Sequence, residues 1–257
     1  MNSDLRLRIL KMICDSGEGH IPSSFSIVDI INFVYEEIID ITSIKNNSSE
    51  RDYFILSKGH GAAALYVVLE KYGLLSNAEL DSYGKANSIL GGHPDTTKIK
   101  YVEASTGSLG HGLPIATGIA MGLKIKGINK RVYCLLGDGE CQEGTVWEAA
   151  NIASNQGLEN LIVFVDWNGS AQQLMPIENL GEKWRAFGWK VFTCDGHSNA
   201  ALRQTLLEVS EASGPTIILA ETVKGKGSKF IEGHGIWHHK IPNAQELEQI
   251  RLELQGA

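Results

Sequence analysis

An α/β fold, with a mostly parallel sheet and helices on both faces, is predicted by two observations. Apolar runs rich in β-branched residues stop abruptly at turn or acidic residues, and stretches with helical spacing lie between them. Strand alternating with helix implies right-handed crossovers, and strands that are apolar throughout imply a sheet covered on both sides. A chain of 257 residues is still within the size that closes on one core, so a single domain over 1–257 is expected.

Taken in order, Leu5, Ile9, Met12 and Ile13 recur at helical spacing, as do Ile27, Ile30, Ile31, Val34 and Ile38. The second set carries Ser26 and Asp29 at the spacing of a capping box with a shorter acid. Strands are expected over 132–136 before Gly137, 161–165 before Asp166, 191–193 before Cys194 and 216–220 before Glu221. Helices are expected over 109–125, 143–156, 180–187 and 200–212. The Gly/Ser-rich stretches 105–112 and 225–235 read as loops, the second long enough to cover a site. Polar residues just after the strands carry the most interest, because ligands of open parallel sheets sit at the strands' carboxyl ends.

The net charge of −7 excludes a protein whose main task is to hold phosphate backbones, which needs a basic face. Cys14, Cys134, Cys141 and Cys194 form no CxxC pair, so neither a disulfide framework nor a zinc site is expected. The first twenty residues alternate charged and apolar side chains, unlike a signal peptide, and no apolar stretch approaches the ~20 residues of a membrane span. A cytoplasmic protein in a reducing setting, with no membrane or nucleic-acid partner, is the expectation.

Six of the eight histidines (His20, His60, His93, His111, His197 and His234) directly follow a glycine, where average glycine usage of ~7% predicts about one. Glycine lets backbone and ligand approach closely, so Gly-His pairs on loops suit imidazoles lining a polar pocket for an anionic or hydroxyl-rich ligand. GxxxxGK[ST] is absent, and no stretch fits GxGxxG. Gly137-Asp138-Gly139 instead follows one predicted strand and Asn168 the next. An Asp and an Asn at adjacent strand ends supply two hard oxygens of the kind Mg²⁺ takes together with water and substrate phosphate oxygens.

These residues resemble the thiamine diphosphate enzymes and, within them, the transketolases. The GDG motif and an Asn after 28 intervening residues are accompanied by Ser16-Gly-Glu-Gly-His20, Leu56-Ser-Lys-Gly-His60 and Gly91-Gly-His93-Pro-Asp. Further along come Ser105-Thr-Gly-Ser-Leu-Gly110, Gln142-Glu143-Gly144 with Glu148, Lys183-Trp-Arg-Ala-Phe-Gly-Trp189 and Trp237-His238-His-Lys-Ile-Pro242, all in the family's order. The resemblance implies a thiamine diphosphate-binding fold and a bound metal, Mg²⁺ or in its place Ca²⁺ or Mn²⁺. Asp138, Asn168 and the backbone carbonyl near Ser170 match its metal ligands. His60, Gly137 and Gly139 match contacts to the diphosphate, and His238 matches the family histidine between diphosphate and reacting carbons. His20 and His93 match histidines that hold donor hydroxyls and assist proton transfer, and Gly107 and Leu109 match the lining of the cofactor rings. Glu143 and Glu148 match acidic residues that link active sites across a subunit interface. His111, His197, His234 and His239 receive no role and are expected on the surface.

The implied activity is transfer of a two-carbon ketol unit from a ketose or its phosphate to an aldose or its phosphate. Full-length transketolases continue into pyrimidine-binding and C-terminal domains, whereas this sequence stops soon after the diphosphate-binding part. It therefore resembles the N-terminal subunit of a split transketolase, active with a C-terminal partner chain as an α2β2 heterotetramer. The apolar stretch 109–122 is a candidate for that interface or for the core. Two departures stand out: the loop after Asn168 is several residues short and lacks the family's Asp-Gly, and Pro22 stands where small split subunits have glycine. They leave the donor open between pentose phosphates and modified sugars of a specialised pathway. A 1-deoxyxylulose-phosphate synthase or a 2-oxoacid dehydrogenase component is the enzyme alternative. A non-catalytic subunit that keeps the fold is the other. Trp147 and Trp167 are expected to flank the site.

Overall fold

The computed structural model describes residues 2–173, 175–233 and 235–256. Ten helices occur among them: α1 Ser3–Ser16, α2 Ile21–Glu37, α3 Ile41–Lys45, α4 Ala62–Lys71, α5 Asn77–Asp81, α6 Gly112–Ile125, α7 Gly144–Asn155, α8 Leu180–Ala186, α9 Asn199–Ser210 and α10 Ala244–Gln255. The strands are β1 Tyr53–Leu56, β2 Val132–Gly137, β3 Leu161–Trp167, β4 Lys190–Asp195 and β5 Thr216–Glu221. They form one sheet in the order β1-β2-β3-β5-β4, every pairing parallel.

Alternate residues of each strand serve opposite cores, which is why the strand sequences are apolar without interruption. Ile162 and Phe164 of β3 join Tyr133, Leu135 and Ile218 in a core built with α1, α2, α4, α9 and α10. Leu161, Val163 and Val165 join Cys134, Leu136 and Ile217 in a second core built with α6, α7 and α8. The four predicted strands are present, each one to three residues longer than expected. β1 escapes sequence detection because it is a four-residue edge strand, too short to show a period.

α1 ends where Gly17 turns left-handed (φ 73°) and returns its N–H to the Ile13 carbonyl. α2 begins five residues before the expected capping box, with His20 as N-cap and Pro22 in the first turn, where a missing N–H costs nothing. Ser26 is thus a mid-helix residue and caps nothing: its hydroxyl donates to the Ser23 carbonyl and to Asp166. Every residue from Ile21 to Tyr35 is buried, so α2 runs through the molecule rather than over it. The helix expected from Leu109 starts at Gly112, leaving 109–111 in the preceding loop. α10, absent from the sequence expectation, starts at an Asn243–Glu246 capping box and buries Ile250 and Leu254.

Phe164 is fully buried at the centre of the sheet. Phe164→Ala is expected to lower unfolding stability by about 3–5 kcal/mol, read as a lower urea midpoint with an unchanged slope.

Candidate active site

The sheet delivers a polar group at the carboxyl end of each of its strands. β1 runs into Ser57, Lys58 and His60; β2 into Asp138; β3 into Asp166 and Asn168; β5 into Thr222 and Lys224; β4 into Asp195 and His197. Asp166, fully buried, gathers three of these strand ends and the middle of α2. It accepts hydrogen bonds from Lys58 Nζ, from Thr222 Oγ1, from Ser26 Oγ at 2.8 Å and from Asn168 Nδ2 at 2.8 Å. Burial alone would raise its pKa, but the Lys58 ammonium and the hydroxyls outweigh burial and hold the carboxyl below its ordinary value.

Asp138 and Asn168 both face the backbone of one short segment. Asp138 Oδ2 accepts from the Ala171 amide at 3.2 Å and Oδ1 from the Gly139 amide at 2.7 Å. Asn168 Oδ1 accepts from the Ser170 amide at 2.9 Å. Burial raises the pKa of Asp138, and a cation against it would lower it again. Among the described residues no three His, Cys, Asp or Glu side chains converge to hold a metal by themselves. Mg²⁺ does not require that, since it is commonly held by one or two protein oxygens, waters and phosphates.

Above this floor lie the histidines. The His20 ring sits against His60 and His238, each with centroids 5.3 Å away, and against His239 at 4.7 Å. His239 is exposed, as expected for the surface, yet belongs to the cluster. Lys224, only 7% exposed, donates to His238 Nδ1 at 2.9 Å, so the neutral ring carries its proton on Nε2. Burial and the nearby Lys58 lower the Lys224 pKa. His93 stands at the rim, its backbone carbonyl accepting from Tyr66 Oη at 2.9 Å. It packs against Gly107, where an added Cβ would come within 3.1 Å of the ring.

Loop 105–112 is fixed by close packing. A Cβ on Gly59 would lie 2.8 Å from the Gly107 amide nitrogen, and one on Gly112 would lie 2.4 Å from Ser57 Oγ. Glu140, 2% exposed, accepts from Ser57 Oγ at 2.5 Å, the Gly110 amide at 2.8 Å and the Gly137 amide at 3.0 Å. One carboxylate thus ties three backbone segments around the site, with Leu109 half-buried on the same loop.

The whole course of the chain has counterparts among known proteins. The family model described as "Transketolase, thiamine diphosphate binding domain" matches residues 1–255. An apulose-4-phosphate transketolase subunit from Phocaeicola vulgatus is 34% identical over 97% of this chain and 90% of its own. This chain belongs to the transketolase family. A 6-deoxy-6-sulfo-D-fructose transketolase subunit from a Clostridium species is 35% identical over 98% of this chain and 95% of its own. Transketolase from Campylobacter jejuni superposes with a TM-score of 0.88 at 26% identity, covering 99% of this chain. This chain spans 42% of the length of that one.

Of the residues singled out in the sequence, Gly137 is the last residue of β2, and His20, His60, His93, His238, Gly107, Leu109, Asp138, Gly139, Asn168 and Ser170 lie in the segments at this end of the sheet. Glu143 and Glu148 are exposed at the N-cap and on the second turn of α7. His111 is exposed and turns back on the Leu109 carbonyl. His234 lies outside the described residues. His197 is no surface residue: its side chain is 9% exposed and bonded to Asp29. Trp147 packs against Trp184 and Phe187 in the second core while its Nε1 donates to the Cys141 carbonyl at 2.9 Å, in the turn after the GDG motif, and Trp167 is the last residue of β3. Sequence reading missed Lys58, Glu140, Asp166, Lys224 and Thr222 as site residues. Applying the carboxyl-end rule to the four predicted strands points to Asp166, Thr222 and Lys224, whereas Lys58 follows the undetected β1 and Glu140 stands one residue beyond the GDG motif.

Burial, and then the neighbouring His238, His239, His93 and Lys224, push the His20 pKa down from 6.5 to about 4. Between those values the unfolded chain binds the extra proton, so the stability contributed by neutral His20 is complete above pH 6.5 and lost as pH falls toward 4. A calorimetric series is expected to show the melting temperature of His20→Phe falling less steeply over this window than that of wild type. Parallel slopes would remove His20 from the pH response.

Proposed function

We propose that this chain binds thiamine diphosphate through a divalent cation and, paired with a C-terminal partner chain, acts as a two-chain transketolase. The reading rests above all on one observation. Two hard oxygens, two buried lysines and a group of imidazoles share the carboxyl edge of one parallel sheet in a member of the transketolase family.

In this reading the Asp138 carboxylate, the Asn168 amide oxygen and the backbone carbonyl at Ser170 hold Mg²⁺. The diphosphate lies on the Gly137–Gly139 turn beside His60. Lys58 and Lys224, missed in the sequence, add positive charge: Lys58 is matched by Asp166, whereas among the described residues no carboxylate pairs with Lys224. An ammonium that no carboxylate contacts directly, though Asp138 and Asp166 attract it from a distance, is one that a diphosphate would stabilise. Gly107 and Leu109 line the rings, and the Glu140 brace keeps that loop in place. Thiamine diphosphate supplies the carbanion chemistry that breaks the bond between carbons 2 and 3 of a ketose and passes two carbons to an aldose.

The protein's own share is positioning and proton transfer. His20, His93 and His238 surround the space above the diphosphate, and desolvation together with the neighbouring Lys224 lowers the pKa of His20 and His238, which favours their neutral forms. A neutral imidazole accepts a hydroxyl proton and returns it, the two tasks that ketol cleavage and its reversal require. The pyrimidine ring would be bound by the partner chain, which also supplies much of the sugar-phosphate recognition. Exposed Glu143 and Glu148 then face a second copy of this chain within a heterotetramer. Relatives named for apulose 4-phosphate and for 6-deoxy-6-sulfo-D-fructose favour a modified sugar with an anionic terminus over the common pentose phosphates. The four cysteines are free thiols, in keeping with a reducing cytoplasm.

Tagging the chain in its own cells is expected to recover an equimolar partner that carries a pyrimidine-binding domain. With that partner, calorimetry is expected to show Mg²⁺-dependent thiamine diphosphate binding. Lys224→Met should weaken it roughly 10- to 150-fold, the range for one charge-assisted hydrogen bond, and Asp138→Ala should abolish its metal dependence. Metal-independent binding, or none, would overturn the reading.

A further inference from the structure

The segment that carries Lys224 leaves the sheet after β5, where the backbone ladder runs out of partners. The Thr222 amide still reaches the Trp167 carbonyl at 3.4 Å, and on the other side the Gly196 amide reaches the Glu221 carbonyl at 2.8 Å. The next amide, that of Val223, is served by a side chain: it donates to His197 Nε2 at 2.9 Å. An amide can only donate, so Nε2 is the unprotonated nitrogen and the proton sits on Nδ1. Nδ1 lies 2.8 Å from Asp29 Oδ2. The glycine before His197 makes this approach possible, since a Cβ on Gly196 would come within 2.6 Å of the Thr222 methyl.

Asp29 is held in turn. It is 1% exposed and pairs with fully buried Arg6, at 2.6 Å from Nη2 to Oδ2 and 3.2 Å from Nη1 to Oδ1. Burial would raise its pKa, but the bonds from His197 and Arg6 prevail and hold the carboxyl well below the ordinary range. Arg6 also donates through Nε to the Lys226 carbonyl at 2.7 Å, and the Gly225 amide donates to the Pro22 carbonyl at 3.0 Å. Lys224 therefore stands between two backbone points, Val223 and Lys226, fixed by one connected set of charged and polar side chains.

We propose that His197, oriented by Asp29 and Arg6, is a positioning residue that sets where the Lys224 ammonium stands for an anionic ligand. The inference builds on the diphosphate site proposed above. A chain that was merely packed would be held by apolar contacts, whereas the Val223 amide is held by a single nitrogen lone pair whose availability depends on the imidazole tautomer. An apolar side chain of similar volume at 197 fills the space but cannot accept that hydrogen bond. Glutamine can, because its amide presents a donor and an acceptor spaced much as the two imidazole nitrogens are.

The test uses the full chain with its co-purified partner and two probes, thiamine diphosphate with Mg²⁺ and inorganic pyrophosphate with Mg²⁺. His197→Met is expected to weaken both about tenfold, and His197→Gln to restore them to within about threefold of wild type. In a Lys224→Met background His197→Met is expected to add no further loss, because its effect passes through that ammonium. Wild-type affinity in folded His197→Met, or fully additive losses in the double variant, overturns the proposal while the diphosphate site stands. A wild-type complex that binds neither probe overturns both. Should His197→Met fail to fold, wild-type nitrogen NMR decides: a deprotonated His197 Nε2 and a slowly exchanging Val223 amide are expected, and a protonated Nε2 or a fast amide overturns the clamp.

Discussion

The structure depends on one buried carboxylate. Asp166 is fully buried in the central strand, yet it is the meeting point of the loops after β1 and β5, the loop after β3 and the middle of α2. Each donor compensates part of the cost of burying a charge, and each is fixed in doing so. Removing the carboxylate would leave Lys58 charged, 2% exposed and without its counter-charge, the condition that buried ion pairs tolerate least. The arrangement explains how a hydrophobic sheet can end in a polar cluster. The charges of the site are organised around a counter-charge that belongs to the frame.

A second carboxylate does comparable work on the opposite flank. Glu140 holds the amides of Gly110 and Gly137 and the hydroxyl of Ser57, and the glycines at 59, 107 and 112 let those segments lie at van der Waals distance. Burial raises its pKa, so this brace relies on the hydrogen bonds it accepts to remain charged. Between Asp166 and Glu140 the floor of the site is built from strand ends and α2, and the loop that carries Leu109 is tied to it through the Gly110 amide and close contacts at Gly107. The rim differs: His93, His238 and His239 are exposed. Rigidity below and access above suit a cofactor that stays and a sugar that comes and goes.

Much of this was legible in the sequence. β2 through β5 announce themselves because a strand buried on both faces must be apolar at every position, and the GDG and Asn motifs fall at the ends of two such strands. The Gly-His pairs were legible as a set, but their destinations were not. His20, His60 and His93 reach the site, His111 stays outside, and His197 turns inward to Asp29, because Gly196 permits a contact to β5 that no local pattern encodes. The start of α2 was misread for a related reason. Ser26 and Asp29 have capping spacing, but both side chains are committed to partners far along the chain, Asp166, Arg6 and His197. Lys58 and Lys224 were invisible for lack of a period: a lysine two or three residues past a strand means nothing until the sheet order places both beside the same histidines.

The sheet order also governs how the protein emerges during synthesis. β1 pairs only with β2, and the whole stretch 57–131 separates them. At about 5–20 residues per second, β1 waits roughly 4–15 s on the ribosome before its neighbour exists. In the finished fold Phe54 and Leu56 share their core with α1, α2 and α4, all made before β2. Three helices and one strand without its partner are thus the part of this core whose residues are all made before β2. The site also needs the end of β5, so a chain truncated before β5 keeps Asp138, Asn168 and His60 but lacks Thr222, Lys224 and His238.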